Sequence, residues 1–356
     1  MYIENIDASI SSLVDTTSIS QAFDSSIGQG FGIYRPSFND LFQRAITGEL
    51  DLSFGGIFRN IFQIIFAELI SHIGLMQQVI FVAIIAALLK VLTDSFATKS
   101  VGEMGFYVCY IALITIIFTS FRVALVTTTN MINAVADFVL ISIPVVISMV
   151  FMSGQATGAV AYNGMFLFGI WAVKTLLMPV LLTFISFLTT IHVVNYLTEN
   201  EILKNLSKML GDFVKKGIKW FAALFLFILG LQRISTPILN NLAVRGVRLT
   251  INAVPVVGGA LAGAVDSIFY LAQAGKNGVI IAIVIALIYI GMVPMIKLFT
   301  MMFTYKIVAA IIQPIADKRI IKCLDTVGSC IGLLLSVSGI VVMMFSLALV
   351  LLVSVA

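Results

Sequence analysis

Asp137 and Asp266 lie inside otherwise apolar stretches, where an ionised carboxylate is costly enough to be read as functional by default. Lys174, Lys297 and Lys306 are candidate partners, but long Lys stems also snorkel, so these three read first as interfacial anchors. For Asp266, an ion, proton or helix-pairing role stands level with a structural hydrogen bond. His72 and His192 sit 120 positions apart near the ends of apolar segments, which suggests headgroup contacts rather than a metal site or a catalytic pair. Cys109, Cys323 and Cys330 lack CxxC spacing and read as buried thiols acting as small hydrophobes. HExxH, GxSxG, P-loop and paired-carboxylate arrangements are missing from the sequence. No catalytic residue, cofactor or metal is therefore expected, and the chain reads as a non-enzyme.

Glycine and proline recur at matching places: Pro144, Gly154 and Gly158, then Pro255, Gly258, Gly259 and Gly263, with Pro179 and Pro294 beyond them. Interruptions of this kind are how transporters make broken helices whose exposed ends meet polar cargo. Gln155, in the polar turn from Ser153 to Gly158, belongs to this set of path candidates, although a plain loop is the blander account. Close packing through small residues, as in the small-xxx-small run from Gly259 to Gly263, is the competing reading.

The elements that position these residues follow from composition. The 356 residues are 60% hydrophobic and 11% charged, with a mean hydropathy of +1.11, whereas soluble domains carry about 25% charged residues. Uncharged runs such as Gly278 to Pro294 and Gly328 to Ala356 approach or exceed the ~20 residues that cross a bilayer as a helix. Backbone groups in lipid must bond internally, and runs such as Val279 to Ile290 lack the alternation of a transmembrane barrel. The expected fold is all-α: a polytopic bundle of about 8–10 spans, drawn at 74–91, 105–125, 132–152, 157–173, 175–195, 217–235, 251–273, 277–293, 295–315 and 327–354. The net charge of +4 is small and the cations fall at segment ends, so the bilayer is the expected partner and nucleic acid is not.

Residues 1–56 read as a polar, acidic, non-cytoplasmic arm, and 57–73 as an amphipathic helix at the membrane interface. No basic n-region and apolar h-region opens the chain, so a signal peptide is not expected. Residues 74–131 form a two-helix entry region. The loop around 196–219, with Lys204, Lys208, Lys215, Lys216 and Lys219 against Glu199, Glu201 and Asp212, belongs in the cytoplasm by its excess of lysine.

An internal duplication is also expected, with repeats at 132–235 and 251–356. Pro144-Val-Val returns at Pro255, Met178-Pro179 as Val293-Pro294, and Ile202 to Leu206 as Ile320 to Leu324, at offsets of 111, 115 and 118. Four crossings per unit make the repeats parallel; single bent helices over 163–195 and 278–315 make them inverted. Loop charge favours the parallel form.

From Arg245-Gly-Val-Arg248 through Asn252 to Gly259, Ala264 to Asp266 and Lys276-Asn277-Gly278, the sequence resembles the stage III sporulation protein AE family. Pro294 to Lys297 and Ala309 to Asp317 continue the likeness, which runs from about residue 75 to the C-terminus. Family members usually begin with a hydrophobic leader, which this sequence does not show. The resemblance implies a multi-pass protein of the bacterial cell membrane, made in the mother cell of an endospore former and lying in the membrane that engulfs the forespore. It further implies an assembly with other stage III A proteins and stage II Q that links the two cells, with a second copy of the chain as a further candidate partner. Arg248, Lys276, Asn277, Gln313 and Pro314 are marked by the family pattern without a role attached. The expected function is a component of that channel or secretion complex, forming or gating a transport path. A self-contained secondary transporter and a non-conducting scaffold are the alternatives.

Overall fold

The computed structural model describes residues 17–26, 37–47, 54–95, 99–153, 156–197, 203–252 and 258–354. Within them only the backbone is described for 46–47, 54–61, 90–103, 106, 156–158, 161, 232–274 and 353–354.

The described residues are almost wholly helical, joined by short turns. Two short helices, α1 (Thr17–Ser26) and α2 (Phe38–Thr47), precede α3 (Phe54–Ser71) and α4 (Ile73–Ser95). Then come α5 (Lys99–Met152) and a single rod built from α6 (Ala156–Ala172), a π-helical segment (Val173–Leu181) and α7 (Leu182–Asn195). Three long helices close the chain: α8 (Lys204–Asn252), α9 (Gly258–Ile312) and α10 (Lys318–Ser354). Among the described residues, four helical stretches are long and apolar enough to cross a membrane: Tyr107–Met152, Tyr162–Asn195, Gly275–Ile312 and Lys318–Leu352. A fifth arises if Phe62–Ser71 and Ile73–Leu89, which bend by 46° at His72, count as one broken span. The molecule is a polytopic helical membrane protein.

Eight of the ten spans drawn from the sequence merge into those four stretches and the bent pair; 217–235 and 251–273 run into residues without described side chains. The breaks drawn near 126–131, 174 and 294 are continuous helix. The reason is visible in α5, where Thr115, Thr119, Thr128, Ser142 and Ser148 each donate a hydroxyl to the carbonyl four residues back. A polar residue satisfied in this way does not stop a helix in an apolar setting. Pro144 and Pro294 also sit inside helices. At Pro179, which cannot donate to the ladder, the rod widens into the π segment and continues. The stretch from 162 to 195 and that from 275 to 312 are thus each one helix.

The core forms around α9 and α5. Helix α9 packs on α10, α5, α2, α3 and α4, while α5 also meets α1, α4, α6 and α10. The α9–α10 hairpin turns at Gln313 and Pro314, where Ala316 and Ile315 donate back to the carbonyl of Ile312. Asp317 then caps α10, its carboxylate accepting the Arg319 backbone N–H at 2.8 Å. The acidic arm holds α1 and α2, which bury Ile19, Phe23, Phe38, Leu41 and Phe42. Helix α2 opens with a capping box: Ser37 Oγ accepts from Asn39 N, and Asp40 Oδ2 accepts from Ser37 N.

Candidate functional site

Polar groups in the membrane-spanning stretches are held in several places. Asp137 of α5 accepts from Lys174 Nζ of the π segment at 2.5 Å. Lys306 of α9 reaches Asp325 of α10 at 3.1 Å and the Ser329 hydroxyl at 3.3 Å. Both lysines make interhelical ion pairs: Lys174 is the partner of Asp137, as one of the two sequence readings had it, and Lys306 pairs with Asp325, which that reading did not name. Long stems make snorkelling the simplest inference from sequence, but packing here brings a carboxylate within reach of each ammonium.

Lys276 differs from these. Its side chain is 0% exposed, and among the described residues its Nζ has no hydrogen-bond partner. The neighbouring Asn277 Oδ1 is likewise buried without one. Both lie at the start of the Gly275–Ile312 stretch. A buried, unpaired cation is expensive unless something outside its immediate shell meets it.

The elbow between α3 and α4 holds another pair. Glu68, 4% exposed, lies 3.5 Å from His72 Nε2, with Lys297 of α9 close enough to act on the imidazole electrostatically. On the opposite side of α3, Phe62, Phe66 and Ile70 face outward. Glu68 is thus turned toward protein and the large apolar side chains of this helix away from it, as a lipid-facing helix requires of a carboxylate. His72 contacts a buried carboxylate, which its position in the sequence did not indicate.

The remaining sequence candidates are distributed along the long helices. Pro144 is inside α5, where the Ser148 hydroxyl donates to its carbonyl at 2.8 Å. Pro179 is in the π segment, Pro294 inside α9, and Gln313 and Pro314 in the hairpin turn, both exposed. Gly154, Gln155 and Pro255 lie outside the described residues. Gly158, Arg248, Gly258, Gly259, Gly263 and Asp266 lie in helices whose side chains there are not described. Glu68 and Asp325 were not singled out from the sequence. A signal for Asp325 existed: folding the sequence about Ile315 and Ala316, just after Pro314, sets residue 325 opposite 306.

The chain is similar to stage III sporulation protein AE of Bacillus subtilis (strain 168), with 25% identity over 337 residues, 94% of this chain and 84% of that protein. No solved structure matches the chain. The family model described as stage III sporulation protein AE matches residues 36–356, so the likeness begins earlier than residue 75 and takes in α2, α3 and the elbow. This helical membrane chain belongs to the stage III sporulation protein AE family.

Proposed function

We propose that the chain is an integral membrane component of the channel or secretion complex that links mother cell and forespore during sporulation. In this reading it sits in the mother-cell membrane engulfing the forespore and forms or gates a path there, without catalysis of its own. Its partners are other stage III A proteins and stage II Q, with further copies of the chain as candidates. Membership of a sporulation family supports the setting. The observation that carries the path is Lys276, a buried cation without a described partner at the start of a membrane-spanning stretch. Such a group lowers stability, so its presence points to use by something that passes or docks beside it.

One observation favours the scaffold instead. Helices α9 and α10 approach so closely that a Cβ on Gly328 would stand 3.2 Å from the Met302 carbonyl oxygen. A hairpin packed this tightly has little room to open.

Single cysteines placed along 251–278, in a chain whose Cys109, Cys323 and Cys330 have been replaced by Ala, separate the two. Labelling by a membrane-impermeant thiol reagent, applied from each side in turn, is expected to follow one helical face as far as position 276. Protection at every position would remove the path and leave the scaffold.

A further inference from the structure

A cleft opens where α7, α8 and α10 meet, with a volume of about 340 Å³. One stripe from each helix lines it. From α8 come Lys204, Lys208 and Lys215, spaced to share one helical face, with Asp212 among them. From α10 come the Thr326 and Ser329 hydroxyls, then Leu333; from α7, His192 and Leu188. Three ammonium groups against one carboxylate leave the cleft with a formal charge of +2. Among the described residues, Lys208, Lys215 and Asp212 make no ion pair, so these two ammonium groups are not neutralised by the carboxylate on their own helix.

The fold builds this place from several sides. Helix α8, 49 residues long, begins at Lys204, so its positive dipole end adds to the lysines at the cleft. The start of α8 is fixed by Asn195 Oδ1, which accepts the Leu203 N–H at 2.7 Å and ties α8 to α7. The Tyr196 hydroxyl meets Thr326 at 3.2 Å and closes the α7–α10 side. The His192 ring stacks on Tyr196. Ser329 is already held toward Lys306 and Asp325. Leu188 and Leu333 line the same cleft as the lysines, while Leu206, Met209 and Phe213 are exposed on the opposite face of α8. A ligand suited to this place carries a phosphate at one end and hydrocarbon at the other.

We infer that this cleft binds the phosphate headgroup of an anionic phospholipid, with Lys204, Lys208 and Lys215 meeting its charge and Leu188 and Leu333 its first methylenes. Lysine is a compact point charge that suits phosphate. Basic pockets between membrane helices hold anionic lipid headgroups for the same reason. The volume admits a glycerophosphate group but no folded domain, and the cleft lies toward the ends of two membrane-spanning stretches, at Asn195 and Lys318, where a bilayer supplies such groups. This assignment does not depend on the chain forming a path.

The test uses the full chain purified in a neutral detergent. Mixed micelles containing phosphatidylglycerol are expected to raise its unfolding temperature and those containing phosphatidylcholine are not. Native mass spectrometry is expected to show phosphatidylglycerol retained on the protein. Lys208→Gln with Lys215→Gln should weaken phosphatidylglycerol binding roughly tenfold. The pair Lys216→Gln and Lys219→Gln, on the same helix but outside the cleft, should leave it unchanged, and Lys208→Arg with Lys215→Arg should retain it. Equal effects of the two lipids, or equal losses in both Gln pairs, would overturn the proposal. Glycerol 3-phosphate or inorganic phosphate stabilising the protein as well as the lipid does would also overturn it, by assigning the cleft to a soluble phosphate compound.

Discussion

A lysine buried at the start of a 38-residue apolar stretch has surrendered its hydration, and among the described residues nothing replaces it at Lys276. The Lys276→Met substitution keeps most of the volume and removes the charge, so it is expected to stabilise the folded protein by about 1–3 kcal/mol, read as a higher unfolding temperature in detergent. If the cation serves the proposed path, the same substitution lowers spore yield at normal protein level. Higher stability with unchanged yield would take Lys276 out of the path. The ion pairs show the reach of residue-level reading. Asp137 and Lys174 were each legible as charges in apolar surroundings, but their pairing joins residues 37 apart in sequence on two different helices. No local pattern encodes that distance; it depends on how α5 packs against the π segment. Glu68 was legible only as part of a polar face, and its inward aim becomes clear once Phe62, Phe66 and Ile70 are seen facing away from the protein.

At the scale of elements, the apolar runs were readable because the bilayer imposes a length and a hydropathy on any helix that crosses it. Where those helices stop was less readable. The Thr127-Thr-Thr-Asn130 run in α5 has the composition of a loop, yet the buried Thr128 hydroxyl is satisfied at the Ala124 carbonyl of its own helix, which continues to Met152. The hairpin register was encoded more subtly. Gly328 faces Met302, Gly339 faces Met295 and Gly291 faces Val342, and the midpoint of each pair falls at residues 315–317, in the turn. Glycines 328, 332 and 339 thus form a small-residue ridge on α10 against the Met-rich face of α9. At Gly328 the nearest atom to an added Cβ is a backbone oxygen, which cannot swing aside as a methionine side chain can. Gly328→Val is therefore expected to destabilise the protein by about 1–3 kcal/mol. Gly164→Ala, where an added Cβ would meet nothing within 4 Å, should be neutral or stabilising by up to about 1 kcal/mol. Unfolding of both variants in the same detergent checks the contrast; equal losses would mean that the close approach at Gly328 does not govern the hairpin.

For the molecule as a whole, the arm that precedes the first apolar helix matters more than its polar composition suggests. Ile19, Ala22 and Phe23 keep i, i+3, i+4 spacing, as do Phe38, Leu41 and Phe42, but each stripe is only one turn long and is diluted by Ser, Asp and Asn. Short amphipathic pieces of this kind are marginal alone and become helices only when a partner surface takes up their apolar side. Here the surfaces belong to the two helices at the centre of the bundle: α1 packs on α5 and α2 on α9. Phe23 of α1 lies between α2 and α5, its ring 6.3 Å from that of Phe38 and 6.2 Å from that of Phe138. The arm therefore bridges α5 and α9. Phe23→Ala and Phe38→Ala each remove a fully buried ring and are expected to cost about 3 kcal/mol. Because the two rings touch, the double variant should lose less than the sum of the single losses. Phe62→Ala, at a ring 54% exposed on the outer side of α3, should shift the unfolding midpoint far less. Thermal unfolding of the four variants measures all of this at once. Additive losses at Phe23 and Phe38 would mean that α1 and α2 dock independently, and the bridge between the central helices would then reduce to two separate contacts.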